Sequence, residues 1–140
     1  MNHKTLTHRG FTLIELIAVI VVLAILAGVA IPKYFDYSAQ AKVSAVKGTL
    51  GGMRAGIANF YANKAIAGSA GYPTYAEFNT LGTVMQEQLP ENPYATDNTV
   101  RDAVGTWVAT PPISGTEGWA YDGTSGKVWA NSTVVGEKDW

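Results

Sequence analysis

The feature that most constrains this chain is an apolar run near its N-terminus. Residues 11–31, FTLIELIAVIVVLAILAGVAI, hold one charged side chain, Glu15, and one other polar side chain, Thr12. Wound as a helix at about 1.5 Å per residue, the run is about 30 Å long, the hydrocarbon thickness of a bilayer. A membrane-spanning helix is therefore expected over residues 11–31. Glu15 is the anomaly in it. An acid at mid-bilayer costs about 2.5–3.5 kcal/mol on insertion scales, less toward the interface, and such a residue calls for a partner.

The ten residues before the run, MNHKTLTHRG, hold Lys4 and Arg9 and no acid. The positive-inside rule keeps them cytoplasmic and sends the C-terminal side outward. Two other readings fit this pattern alone. Ala27, Gly28, Val29 and Ala30 imitate the small-residue cleavage site of a secretory signal, and an uncleaved signal anchor has the same outline.

The segment RGFTLIEL resembles the prepilin signal of the type IV pilins and type II secretion pseudopilins. Gly10, Phe11, Thr12, Leu13, Ile14, Glu15, the apolar run and Pro32 all fall in register with it. The resemblance is close over the N-terminal third and extends to the rest only in general layout. It implies cleavage by a membrane peptidase between Gly10 and Phe11, and methylation of the new Phe11 amine by the same enzyme. Glu15 becomes the fifth mature residue. The resemblance further implies an inner-membrane assembly platform as a partner.

Composition fits one anchor and one small domain: the chain has 140 residues, 47% of them hydrophobic. The net charge of -1 becomes more negative once Lys4 and Arg9 leave with residues 1–10. No basic patch is visible, so a nucleic-acid partner is not expected. Both histidines, His3 and His8, lie in the leader, and the chain has no cysteine. The mature chain thus lacks the usual general base, thiol nucleophile and zinc ligands. A non-enzyme is expected, with no disulfide.

The helix is expected to continue past the membrane. After Pro32 and Lys33, apolar residues recur at Phe35, Ala39, Val43, Val46, Leu50, Met53, Ile57, Phe60 and Tyr61, in steps of three and four, with charged and polar residues between. Residues 32–66 therefore read as an amphipathic continuation. Over residues 11–66 the helix is about 84 Å long, and such a length calls for lateral partners. Pro32 has no amide to bond the Gly28 carbonyl, while glycine at 28 eases the clash with the ring, so a kink is expected there. Gly48, Gly51, Gly52 and Gly56 each weaken a helix by up to about 1 kcal/mol relative to alanine. Packing of the outer domain on that glycine face is the expectation, with local flexibility as its competitor.

Residues 67–140 read as a small loop and sheet domain. Gly68, Gly71 and Pro73 end the helix, and residues 74–81 suit a short helical segment. Residues 94–104 are polar and read as a solvated loop. Their Asp97 and Asp102 are weak calcium candidates, because the resemblance includes major pseudopilins that hold calcium in a loop near their sheet, but the spacing matches no ligand motif. No cofactor is assigned on that basis. Residues 106–109, TWVA, suit a strand. Residues 119–122 and 127–131 alternate about the turn GTSG and suit a hairpin. Trp119 and Tyr121 share one face, as do Val128 and Ala130, and these faces should clamp onto the helix. An aromatic ligand platform is the alternative.

The expected fold is α+β, the pilin fold: one long N-terminal helix with a small C-terminal antiparallel sheet on its outer half. The parts are a cleaved leader (1–10), a transmembrane or filament-core helix (11–31), its amphipathic continuation (32–66) and the head (67–140). The resemblance implies a subunit that self-assembles into a helical filament, with Glu15, Gly28 and Pro32 serving assembly. The subunit starts in the inner membrane with its N-terminus cytoplasmic and its head outside. Absent cysteines, the small head and LPENPY resemble a type II secretion pseudopilus, the expected assembly. VSAVKGTLGGMRAGIANFYANKAIAG resembles mannose-sensitive haemagglutinin-type pilins, which keeps an extracellular type IV pilus open as the alternative, together with a minor or competence pilin.

Overall fold

A computed structural model describes residues 10–103 and 113–133. Its elements are α1 (Leu13–Ile66), α2 (Tyr75–Asn79), β1 (Val100–Asp102), β2 (Trp119–Asp122) and β3 (Lys127–Ala130). They fall into two compact units, one ending at Ala39 and one beginning at Gln40.

In the first unit, residues 13–39 are helical. Every residue from 10 to 37 is exposed, including Leu13, Ile14, Ile25, Leu26 and Val29. The helical run passes through Gly28 and Pro32 without a break, so the weak point expected there does not end the helix. Proline removes one bond from a long ladder, and glycine four residues earlier leaves the ring room.

The second unit has its core on the outer part of α1. Val46, Leu50, Met53 and Ile57 repeat at three- and four-residue steps and are buried with Phe78, Val84, Val100, Trp119, Tyr121, Val128 and Ala130. The hairpin forms as its alternation requires. In β2–β3, Trp119 lies opposite Ala130 and Tyr121 opposite Val128, antiparallel. Those same residues face the helix stripe, as expected, and Phe78 stacks on Tyr121 with ring centroids 4.4 Å apart. In the turn, the Gly126 amide donates to the Asp122 carbonyl at 2.8 Å. Gly126 has a φ of 68°, and the Tyr72 ring lies where its Cβ would project, so both conformation and space favour glycine.

Three expectations need correction. The sheet is mixed rather than antiparallel, because β1 joins the hairpin in parallel, with Val100 opposite Trp119 and Asp102 opposite Tyr121. β1 arises inside the segment read as a solvated loop. Only Val100 of its three residues is buried, so periodicity carries no strand signal, and the pairing partner lies far along the chain. The Trp119 amide donates to the Thr99 carbonyl at 3.1 Å and the Ala103 amide to the Tyr121 carbonyl at 2.9 Å, which fixes this register from both ends. The glycine face is also not one packed surface. A Cβ on Gly56 would meet the Val84 carbonyl at 2.8 Å, whereas Gly48, Gly51 and Gly52 have open space beside them. The strand expected at residues 106–109 lies outside the described residues.

The link between helix and sheet is held by aromatic side chains whose polar tips reach backbone carbonyls. The Tyr121 hydroxyl donates to Pro73 at 2.5 Å, Tyr75 to Val100 at 2.8 Å, and the Trp119 indole to Pro90 at 3.1 Å. Burial, then the neighbouring Asp122 carboxylate, pushes the Tyr121 phenol up, so it stays a neutral donor. Buried Asn92 donates through its side-chain amide to the Gly118 carbonyl at 2.9 Å and through its backbone amide to Asp97 at 2.8 Å. A Cβ on Gly118 would run into the Asp97 carbonyl, so this crossing requires glycine.

Trp119 is fully buried. Trp119→Ala should therefore destabilise the head by about 3–5 kcal/mol, through cavity formation and a lost carbonyl partner. Urea unfolding of the detergent-solubilised chain checks this, and an unchanged midpoint would count against the packing described.

Candidate processing and assembly site

Gly10, Phe11 and Thr12 precede the first turn of α1 and are not helical. Gly10 and Phe11 are exposed, with Phe11 at 73%. The bond between them is thus outside the helical hydrogen-bond ladder. A protease binds its substrate extended, and a bond inside a helix would first have to be unwound. Among the described residues, nothing lies within 4 Å of a Cβ built on Gly10, so none of them demands glycine there.

Two residues on, the helix start is closed by a reciprocal pair. The Thr12 amide donates to Glu15 Oε2 at 2.8 Å and the Thr12 hydroxyl to the same oxygen at 2.7 Å. The Glu15 amide donates back to Thr12 Oγ1 at 3.3 Å, and the Leu16 amide to the Thr12 carbonyl at 3.2 Å. This is a capping box, which satisfies amides that the first turn leaves without partners. A carboxylate there also opposes the positive end of the helix dipole. Sequence reasoning singled out Glu15 and missed Thr12 as its local partner. The signal was present as T-x-x-E, and it recurs at Thr74 and Glu77, where the same reciprocal bonds start α2. There the Thr74 amide and hydroxyl hold the Glu77 carboxyl below its usual range, and Lys64 lies 3.6 Å from it.

Both donors in the first box converge on Oε2 of Glu15, and among the described residues none donates to Oε1. Gly28 and Pro32 lie further along the same exposed stretch, with nothing packed beside Gly28. The structure thus places Gly10, Phe11 and Glu15 at one end of α1, and Gly28 and Pro32 about 20 Å or more along it at 1.5 Å per residue.

The two calcium candidates are apart in role. Asp97 accepts the Thr99 amide at 2.6 Å, and these Thr99 bonds keep its carboxyl below the usual range. Asp102 sits at the end of β1. Among the described residues, no three His, Asp or Glu side chains are grouped so as to hold a metal ion.

The family described as "Prokaryotic N-terminal methylation motif" matches residues 6–31. The chain is similar to type IV major pilin protein PilE1 of Neisseria gonorrhoeae, 35% identical over 98 residues that cover 70% of this chain and 42% of that protein. It is also similar to fimbrial protein EcpC of Eikenella corrodens, 40% identical over 41% of this chain and 38% of that one. Type IV major fimbrial protein FimA of Dichelobacter nodosus is 49% identical over 35% of this chain and 31% of its own. The aligned part of the chain therefore spans less than half the length of each of these relatives. No solved structure matches. The methylation motif on residues 6–31, the similarity to major pilins over 70% of this chain and the long helix with its small sheet together support a type IV pilin family member.

Proposed function

We propose that the mature chain, beginning at Phe11, is the subunit of an extracellular type IV pilus and not an enzyme. The observation that carries this is the exposed apolar half of α1. Against the described residues, none of residues 13–31 is buried, and Leu13, Ile14, Ile25, Leu26 and Val29 are each at least 60% exposed. An apolar surface of this extent needs a cover. A bilayer supplies it first, with the leader cytoplasmic and the head outside, and copies of the same helix supply it after the subunit leaves the membrane. A membrane peptidase cuts between Gly10 and Phe11 and methylates the new amine, and an inner-membrane platform assembles the filament.

The named relatives are pilins and fimbrial proteins, which favours the surface pilus over the pseudopilus expected from the sequence. The pseudopilus remains the second reading, on the chain's lack of cysteine. Deleting the gene separates them. Loss of surface filaments and attachment with secretion intact is the expected result, whereas secreted enzymes trapped in the periplasm with attachment intact would give the chain to secretion.

A further inference from the structure

Just beyond the apolar run, Tyr34, Phe35 and Tyr37 are 71%, 66% and 63% exposed. Tyr34 and Phe35 meet edge to face with centroids 6.2 Å apart, and none of the three belongs to a buried core cluster of the described residues. Tyr34 and Tyr37 are one three-residue step apart, but Phe35 lies off that line, and the three together rise through only about 4.5 Å. At about 100° per residue they fan around nearly half the circumference. Lys33 precedes them and Asp36 lies among them.

We infer that Tyr34, Phe35 and Tyr37 form an aromatic belt that fixes the depth of the unassembled subunit, seated in the glycerol and headgroup layer on the outer face of the membrane. Tyrosine concentrates at that level because its ring is apolar and its hydroxyl is wet, which fits Tyr34 and Tyr37, while Phe35 adds apolar area at the hydrocarbon edge. The position agrees with the length of the span. Residues 11–31 fill about 30 Å of hydrocarbon, which puts residue 34 at its edge. Lys33 can extend its ammonium outward to lipid phosphates, and Asp36 sets the limit beyond which the helix cannot sink without burying a carboxylate.

This inference rests on reading residues 11–31 as membrane-spanning, and cysteine labelling separates the two. The chain has no cysteine of its own. Single variants Ile25→Cys, Ile31→Cys and Gln40→Cys of the full chain would be placed, dilute, in vesicles of phosphatidylethanolamine and phosphatidylglycerol, and exposed to a membrane-impermeant maleimide. Gln40→Cys should label fast, and the other two severalfold more slowly. Replacing Tyr34, Phe35 and Tyr37 together by serine should raise the rate at Ile31→Cys severalfold and leave Ile25→Cys protected. Replacing all three by tryptophan should keep Ile31→Cys slow.

Fast labelling at Ile25→Cys in the parent chain would overturn the membrane span itself. A rate at Ile31→Cys that ignores the serine changes would overturn the belt alone. A serine variant that keeps its depth but yields few filaments would assign the three residues to contact with a second copy, also against the belt. Should the serine variant fail to insert, Tyr34→Trp provides the test in bilayers containing brominated lipids. Its quenching in excess of the parent should be strongest with bromines near the glycerol end of the acyl chain, and no excess quenching at any depth would refute the belt.

Discussion

Glu15→Leu should insert, be cleaved and accumulate in the membrane, and yet give filament yields near background. The substitution makes the first turns more apolar, so insertion does not suffer. What disappears is the one carboxylate in the run. That carboxylate is held by Thr12 through Oε2, and among the described residues none donates to Oε1. After cleavage each chain gains a cationic amine at Phe11. An amine on a neighbouring subunit, within about 4–6 Å of Glu15, would offset much of the desolvation of both charges and favour a single axial register. Thr12→Val separates capping from pairing. It removes the hydroxyl and keeps the acid, so loss of the local bond should lower yield far less than Glu15→Leu. Normal filament yield from Glu15→Leu, measured against membrane-bound subunit, would refute the pairing.

Gly10→Val should leave the precursor uncut and filaments absent. Nothing among the described residues resists a side chain at residue 10, which is exposed and outside the helix. Any block must then arise in the peptidase, whose pocket would have to receive that Cβ. The uncut chain keeps Lys4 and Arg9, so moving its N-terminus into an apolar filament core would drag cations with it. Immunoblotting for the ten-residue difference decides this, and wild-type amounts of the processed form would contradict it.

The helix and the hairpin were legible in the sequence because each rests on a local pattern. The run over residues 11–31 and the stripe Val46, Leu50, Met53, Ile57 have helical spacing, and Trp119, Tyr121, Val128 and Ala130 alternate about a glycine-bounded turn. β1 was not legible because its pairing is parallel and non-local, and one buried valine carries no period. The glycines misled for a related reason. Of the four glycines at 48, 51, 52 and 56, Gly56 is packed against a carbonyl whose approach no sequence pattern announces, while Gly48, Gly51 and Gly52 look the same in the sequence and have no described residue beside them. At the N-terminus, Glu15 stood out as a charge among apolar residues, whereas Thr12 is an ordinary residue until the capping geometry gives it a role.

The central claim is that this chain, shortened to begin at Phe11, builds a filament through its exposed apolar helix. Intact mass spectrometry of filaments sheared from cells tests it most directly. Their main component is expected to be this chain without residues 1–10 and with one methyl group on the Phe11 amine. A filament component that retains Met1, or one that begins after Ala30 and so lacks the apolar helix, would contradict it.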